Sequence, residues 1–597
     1  MLLARRSRRR CSWCNTGFCP RVSVPVLRLI VGHPELAINH AVVRVNILPA
    51  VLPKRFHDSP PQGLYRYTVL SKIRCVGQVL KLGSDMCRTC TYRMTNSSRK
   101  NFAPDFSSTG IASKEQRNPN MTTNFYRFRS VTNLLGTRQE LENQQIYFAS
   151  PDQLNDPLEG HIDLYWQGDA IVWRNLFKNY LFCALYIFNL WSLDKDGRHL
   201  KWEDIPVENP LAAGQFSEHH ELVSNFFGHQ VVDEFLSRVI NSKRRIGRNE
   251  ITAIFRGIHN FVIFQIFEIY QKRNGSHDGV MSDKLSEAVR GEVDRIKSAT
   301  CLFDIVEEVT KGNALEIERQ YVSILNGYEE VDLLNYFENA IDLNDKSRVF
   351  IFNDFCRAYV RRLGSLMYPP WYAACFMEEC TAASMWAYYG SDHSGVCLKF
   401  RASSNAAGAS LNLNAIVGYN AEGSVRGMRP FDFKAVSYRT EHESVNFFET
   451  IGAVPVPIAN SQWYTDGSGG VSGFLLRTED DREVWRKNYW SLFEKSSTTK
   501  TRAWEAEKEQ RLVYYSSLAD VSADDRTMQY DFSSLEGIIF GVRTPTSDMM
   551  KIIEIIKRKC QKNGRADFKF YRADFSPGQD RMTISELRVF SGDLLIR

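Results

Sequence analysis

Apolar residues alternate with polar ones in NFYRFRS (residues 124–130) and in QIYFAS (145–150), and VTNLLGTRQELENQQ between them has helical spacing. Side chains alternate across a strand and return every 3.6 residues on a helix, so the pattern predicts strand, helix, strand over Phe125–Ser150. The turn-rich PDQLNDPLEGH follows. From about Asp169 to Leu366 the spacing is almost wholly helical. HHELVSNFFGHQVVDEFLSRVINS and NEITAIFRGIHNFVIFQIFEIYQKR place apolar residues at i, i+3, i+4 and i+7, and SDKLSEAVRGEVDRIKSATCLFDIVEEV continues the pattern behind a Ser N-cap signal. After Tyr368-Pro369-Pro370 strand patterns return in WYAACFMEE, GVCLKFRAS, FKAVSYRT, SLEGIIFGVRT and FKFYRADFS. TAASMWAYYGSDHS reads as one or two helical turns and a loop. EDDREVWRKNYWSLFEKSSTTK and SDMMKIIEIIKRKCQK read as helices, and RAWEAEKEQRLVYYSS starts polar and ends as a strand. No internal repeat is found. The expected class is α+β, a small mixed β-sheet built from two chain halves with a large helical insertion between them. The expected boundaries are 1–120 unassigned, 121–168 with 367–597 as a split core domain, and 169–366 as the insertion.

Charge separates the first 120 residues from the rest. They carry 20 Lys and Arg against 5 Asp and Glu, leaving 55 basic and 64 acidic residues after Asn120, a net of −9. The body therefore has no general electrostatic case for nucleic acid. The Arg-rich start fits a transit peptide or, as the preferred reading, translated upstream sequence ahead of a fresh start at Met121; this extension is expected to be disordered or poorly packed. Cys11/Cys14 and Cys87/Cys90 have zinc-like spacing, but about 70 residues separate the pairs, and chance is the favoured explanation. The seven cysteines after residue 120 are scattered, as expected of reduced thiols in a cytoplasmic protein. The most apolar stretch, Tyr180–Leu193, falls short of the roughly 20 residues that span a bilayer, so a buried helix is expected and no membrane partner.

Three constellations are candidates for chemistry. The first is Tyr126 and Arg127 with Asn155, Asp156, Pro157 and Glu159; a capped turn is the simpler reading, and a binding loop at a strand end the functional one. The second holds Trp386, Tyr389, Asp392 and His393. Trp386 reads as core and His393 as a surface residue or a general base. The third is Lys500, Trp504, Glu505, Glu507, Glu509 and Arg511. On a strand Glu507, Glu509 and Arg511 share one face, either as a solvated edge or as a site with perturbed carboxylates. Phosphate-loop, zinc-protease and nucleophile-elbow signatures are absent, and no metal is expected.

The segments YRFR (126–129), IYFASPDQLNDPLEG (146–160), MWAYYGSDHSGVCLKF (385–400) and KTRAWEAEKEQRLVYY (500–515) stand in this order. With them the chain resembles a family of mostly bacterial proteins, domain of unknown function 2971, over roughly 121–170 and 370–545. The plan of a first strand with an aromatic and Arg, a second ending in Ser, and a late Glu-x-Glu is more distantly similar to ADP-ribosyltransferases. That likeness implies a split mixed sheet, NAD as substrate, contacts from Tyr126 or Arg127, support from Ser150, and Glu507 or Glu509 as the catalytic carboxylate. Asn155, Asp156, Trp386, His393 and Arg511 are the expected surrounding residues. Two functions are carried forward. One is a NAD-consuming enzyme in defence or toxin biology with a macromolecular acceptor. The other is a non-catalytic module that binds a protein partner through the helical insertion.

Overall fold

The computed structural model describes residues 123–193, 199–208, 217–273, 279–338, 342–405, 408–440, 443–516, 521–576, 578 and 581–590. The expectations for residues 1–120, including both cysteine pairs, lie outside the described residues. The described chain divides into two compact units. One comprises 123–176 with 362–590 and the other 177–361.

The first unit is organised by an eight-stranded sheet. Its strands are β1 (Asn124–Arg129), β2 (Trp371–Met377), β3 (Val396–Arg401), β4 (Lys434–Ala435), β5 (Glu509–Tyr515), β6 (Leu535–Phe540), β7 (Lys569–Phe575) and β8 (Met582–Glu586). Their order is β4-β5-β2-β1-β3-β6-β7-β8. Only β6 and β7 are parallel, joined by the helix Thr546–Asn563. The alternation read from the sequence separates two cores. On one face Phe125, Phe376, Leu398, Phe400, Leu512 and Ile538 pack with Ile552, Ile556 and Cys560 of that helix. On the other, Phe128, Met377, Cys397, Ile539 and Ala573 pack under Met385 and Trp386 of the helix Ala383–Tyr389.

β1 and β2 are in register only at Tyr126 and Met377. Beyond that point the sheet opens, and Ala149 exchanges both backbone hydrogen bonds with Ala373. Cys375 lies between these two pairs and faces the same way, so its carbonyl would be orphaned in the gap. Arg127 fills it, donating from Nη1 to Cys375 O (3.0 Å) and from Nη2 to Tyr147 O (3.2 Å).

A second sheet contains Gln145–Tyr147, Thr527–Tyr530 and a long hairpin, Gly408–Asn420 with Gly423–Asp432. The sequence reading expected the first of these strands and assigned no element over 408–432 or 527–530. The signal was present, since Leu411, Leu413 and Ala415 are buried at period two. The helix expected over 131–145 is only Val131–Leu135, capped by the Ser130 side chain on Asn133 N and broken at Gly136.

The second unit is almost entirely helical, as the spacing predicts. Arg248–Arg273 is buried on nearly every side and forms its centre. The run expected as one amphipathic stretch over 219–242 breaks into Ser217–Gly228 and Gln230–Asn241, with His229 capping the second. Gly279–Thr310 begins three residues before the expected Ser282 cap. Phe350–Asp354 is wound as a π-helix. Its carbonyls are met from the central helix by His259 Nε2 on Ile351 O (2.6 Å) and Arg256 Nη1 on Phe352 O and Asn353 O. Tyr180–Leu193 is the latter part of the helix Ala170–Leu193, largely buried as expected. No helix among the described residues is long and apolar enough to cross a membrane.

Candidate functional site

The third constellation is not a solvated edge. β5 is flanked by β2 and β4, and Glu509 and Arg511 project from the face that carries Met377 and Cys375. Glu507 is not on the strand. It ends a 3-10 turn, Arg502–Glu507, and Lys508 adopts φ +45° before β5 begins. The period-two argument therefore fails for Glu507, yet the turn delivers it to the same place.

That place is a buried cluster of five charges: Glu159, Lys500, Glu507, Glu509 and Arg511, none more than 8% exposed. Arg511 donates from Nε and Nη2 to Glu509 (2.7 and 3.1 Å) and from Nη1 to Glu159 Oε1 (2.7 Å) and Ser497 O (2.9 Å). Lys500 Nζ donates to Glu507 Oε2 (2.7 Å) and Glu509 Oε2 (3.3 Å) and lies 3.9 Å from Glu159 Oε2. The hydroxyl of Tyr389 donates to Glu507 Oε1, and that of Tyr438 accepts from Glu509 N (2.7 Å). Trp504 stacks on Lys500, Nζ to ring centroid 4.8 Å, and meets the exposed Tyr388 edge-on at 6.3 Å.

Local sequence explains the convergence. Asp156 accepts from Leu158 N (2.9 Å), closing the Asn-Asp-Pro turn, and from Thr501 N and Oγ1 (3.2 and 2.8 Å). One capping carboxylate thus ties the N-terminal turn to the strand Thr499–Thr501, setting Glu159 and Lys500 beside β5. Thr499–Thr501 pairs in parallel with Ser437–Arg439, placing Tyr438 opposite Lys500.

The carboxyls are driven apart in proton affinity. Burial pushes Glu507 up, and Lys500 and Tyr389 only partly offset it. Burial also pushes Glu159 up, beyond what Arg511 restores. For Glu509 burial is outweighed by Arg511, Lys500 and the Cys375 thiol, which hold its carboxyl well below the usual range. Burial also raises Asp156, but the Leu158 and Thr501 donors and Lys500 bring it below its ordinary value. For Lys500 the desolvation that lowers its affinity is overcome by Glu509 and Glu507.

The other expected site residues are placed elsewhere. Arg127 shares the opposite sheet face with Phe125, its guanidinium 5.3 Å from the Phe376 ring centroid and committed to backbone carbonyls. Tyr126 is half-buried on the Trp386 side, its hydroxyl pushed above the ordinary tyrosine range by burial. Ser150 starts a 3-10 turn, its N–H donating to Gln153 Oε1 (3.2 Å), and Asn155 is exposed. Trp386 is core, donating Nε1–H to Cys380 O (2.7 Å) and meeting Phe128 edge-on at 4.9 Å. His393 is the third of three successive left-handed residues, and its carbonyl accepts from Arg543 N (2.9 Å). Its turn flanks an open cleft of about 370 Å³ whose wall includes Ser130, Thr132, Ser391, Ser394 and Lys551 and none of the clustered glutamates. Glu159, Lys500 and Tyr389 were visible as motif members but not as site residues, and Tyr438 was missed. Among the described residues no group of side chains is arranged to hold a metal ion.

The chain matches no protein-family model, and comparison with curated proteins and with solved structures finds no match.

Proposed function

We propose that this chain is an enzyme that cleaves a glycosidic bond to ribose, with NAD as the substrate class and an ADP-ribosyltransferase-like use of its glutamates. The observation that carries this reading is the split of Glu507 and Glu509. They are two residues apart and share Lys500, yet burial drives one carboxyl up while Arg511 drives the other down. Two acids pushed in opposite directions are the usual basis for dividing acid–base and electrostatic roles within one site. In this reading Glu507 touches substrate and carries the exchangeable proton of an acceptor nucleophile. Glu509 stays ionised behind it, fixing Lys500 and contributing negative potential toward the positive charge that develops on the ribose as the base departs. The exposed Tyr388 and the Trp504 ring offer planar apolar surface beside Glu507. The resemblance to domain of unknown function 2971 proteins belongs to the same proposal. Arg127, Ser150 and Asn155 have no part in it.

The test is nicotinamide release from NAD by the full chain, beside Glu507→Gln and Glu509→Gln. Release lost in Glu507→Gln, with the fold retained by circular dichroism, is the expected result. Unchanged release in that variant refutes the assignment.

A second reading is favoured by the burial of every charge in the cluster. The network is then a structural tie between the Asn-Asp-Pro turn and β5, and the helical unit binds a protein partner. It predicts no NAD binding by calorimetry and a large loss of stability in Glu509→Gln.

A further inference from the structure

The buried cluster is roofed by one short segment. Arg502–Glu507 joins the strand Thr499–Thr501 to β5, and Arg502, Ala503, Glu505 and Ala506 are exposed. Only Trp504 and Glu507 turn inward, one onto Lys500 and the other into the cluster. Neither belongs to the two hydrophobic clusters of the sheet. The hydrogen bonds of a 3-10 turn are poorer than those of an α-helix. The turn closes on Lys508 at φ +45°, a left-handed conformation that strains a residue with a Cβ.

Charge makes this segment distinctive. Three carboxylates share two cations, and Glu507, which pairs with Lys500 at 2.7 Å, is the one member carried by the turn. Carboxylates that outnumber their cations in a buried cluster are costly to keep ionised. Removing Glu507 leaves two carboxylates and two cations still paired. Beneath the roof Glu159 Oε2 is buried without a hydrogen-bond partner, an acceptor open to a ligand donor.

We propose that Arg502–Glu507 is a lid, which swings outward to carry Glu507 from the cluster to solvent and to uncover Lys500 and Glu159. The proposal deepens the reading of Glu507 as the working carboxylate and rests on it for its functional meaning. It also accounts for the burial of the whole set, since Glu159, Lys500, Glu507, Glu509 and Arg511 are all covered in the closed form. The groups facing Glu507 are Tyr389 from the helix Ala383–Tyr389, Lys500 from Thr499–Thr501, Glu509 from β5 and Tyr438 from Ser437–Arg439. Opening breaks the Lys500 and Tyr389 bonds to Glu507 and keeps the Arg511 bonds. The closed form gains a proton when Glu507 binds one, so opening increases as pH rises.

The test reads lysine accessibility in the full chain without substrate. The protein is treated with an N-hydroxysuccinimide acetate ester, and acetylation of Lys500 is followed by mass spectrometry, with the exposed Lys508 as internal control. Lys500 is expected to react while the protein is folded. Trp504→Ala should accelerate it roughly tenfold, the change that about 1.4 kcal/mol produces, and Glu507→Gln, which leaves two carboxylates to two cations, should slow it. Amides 503–508 should exchange with deuterium faster than those of β5. Lys500 reacting in all three proteins only at the rate of global unfolding overturns the lid, as do lid amides protected as well as β5. Absence of NAD cleavage bears on the enzyme reading alone.

Discussion

Replacing Arg511 with Leu tests whether the cluster is a charge network or a set of independent contacts. The guanidinium is fully enclosed and makes four hydrogen bonds, two to Glu509, one to Glu159 and one to Ser497 O. Leu removes all four and leaves three carboxylates facing one cation, Lys500. Breaking a buried ion pair by deleting one partner costs about 3–5 kcal/mol, most of it the penalty of the charges left behind. We expect a loss of that size, read as a fall in the urea midpoint at unchanged slope. The pH dependence gives the sharper signature. In the native protein Glu509 titrates below its unfolded value, so its contribution is present above the ordinary carboxylate range and lost as pH falls through the folded value. Glu159 and Glu507, held above their unfolded values, oppose this, and their penalty is relieved on acidification. Without Arg511 the largest influence holding Glu509 down is gone and its affinity for a proton rises toward that of Glu159 and Glu507, so the folded variant should bind more protons than the native protein and lose less stability as pH falls. The gap to the native protein should therefore close in acid. A loss under about 1 kcal/mol at neutral pH, the scale of an exposed pair, refutes the reasoning, as does a gap that is constant with pH.

Two further outcomes follow from the same accounting. Arg127→Met strands the carbonyls of Cys375 and Tyr147 in the opening between β1 and β2 and should cost about 1–3 kcal/mol in chemical denaturation. It should leave any NAD binding unchanged in calorimetry, since Arg127 occupies the other sheet face; loss of binding at intact fold shows that the face assignment is wrong. His259, driven down to about 3 by burial, is neutral between Tyr180 and Ile351 O. The unfolded chain takes up a proton below about pH 6.5 and the folded chain does not, so its contribution is lost as pH falls through that value. Protection factors in Arg248–Arg273, taken relative to the intrinsic exchange rate at each pH, should fall on acidification in the native protein and much less so in His259→Phe, and an equal fall in both contradicts this.

The sequence alone determined what depends on local period and composition. Alternation placed β1, β2, β3, β6 and β7, and 3.6-residue spacing placed the helices between β1 and β2, because burying one face of an element writes its period into the chain. Trp386, expected both as core and as a residue around the site, is core. Period could not show that Glu507 leaves the strand, because the left-handed Lys508 has no signal comparable to glycine. Nor could it separate a buried charged strand from a solvated edge, since the two differ only in which segments cover them. That was decided by Asp156 clasping Thr501, 345 residues away, and by β4 covering the outer side of β5. Such pairings are set by the register of distant strands, and only tertiary structure brings Glu159, Lys500, Glu507, Glu509 and Arg511 into one buried space. There low dielectric and mutual proximity, rather than residue type, decide which carboxyl holds a proton.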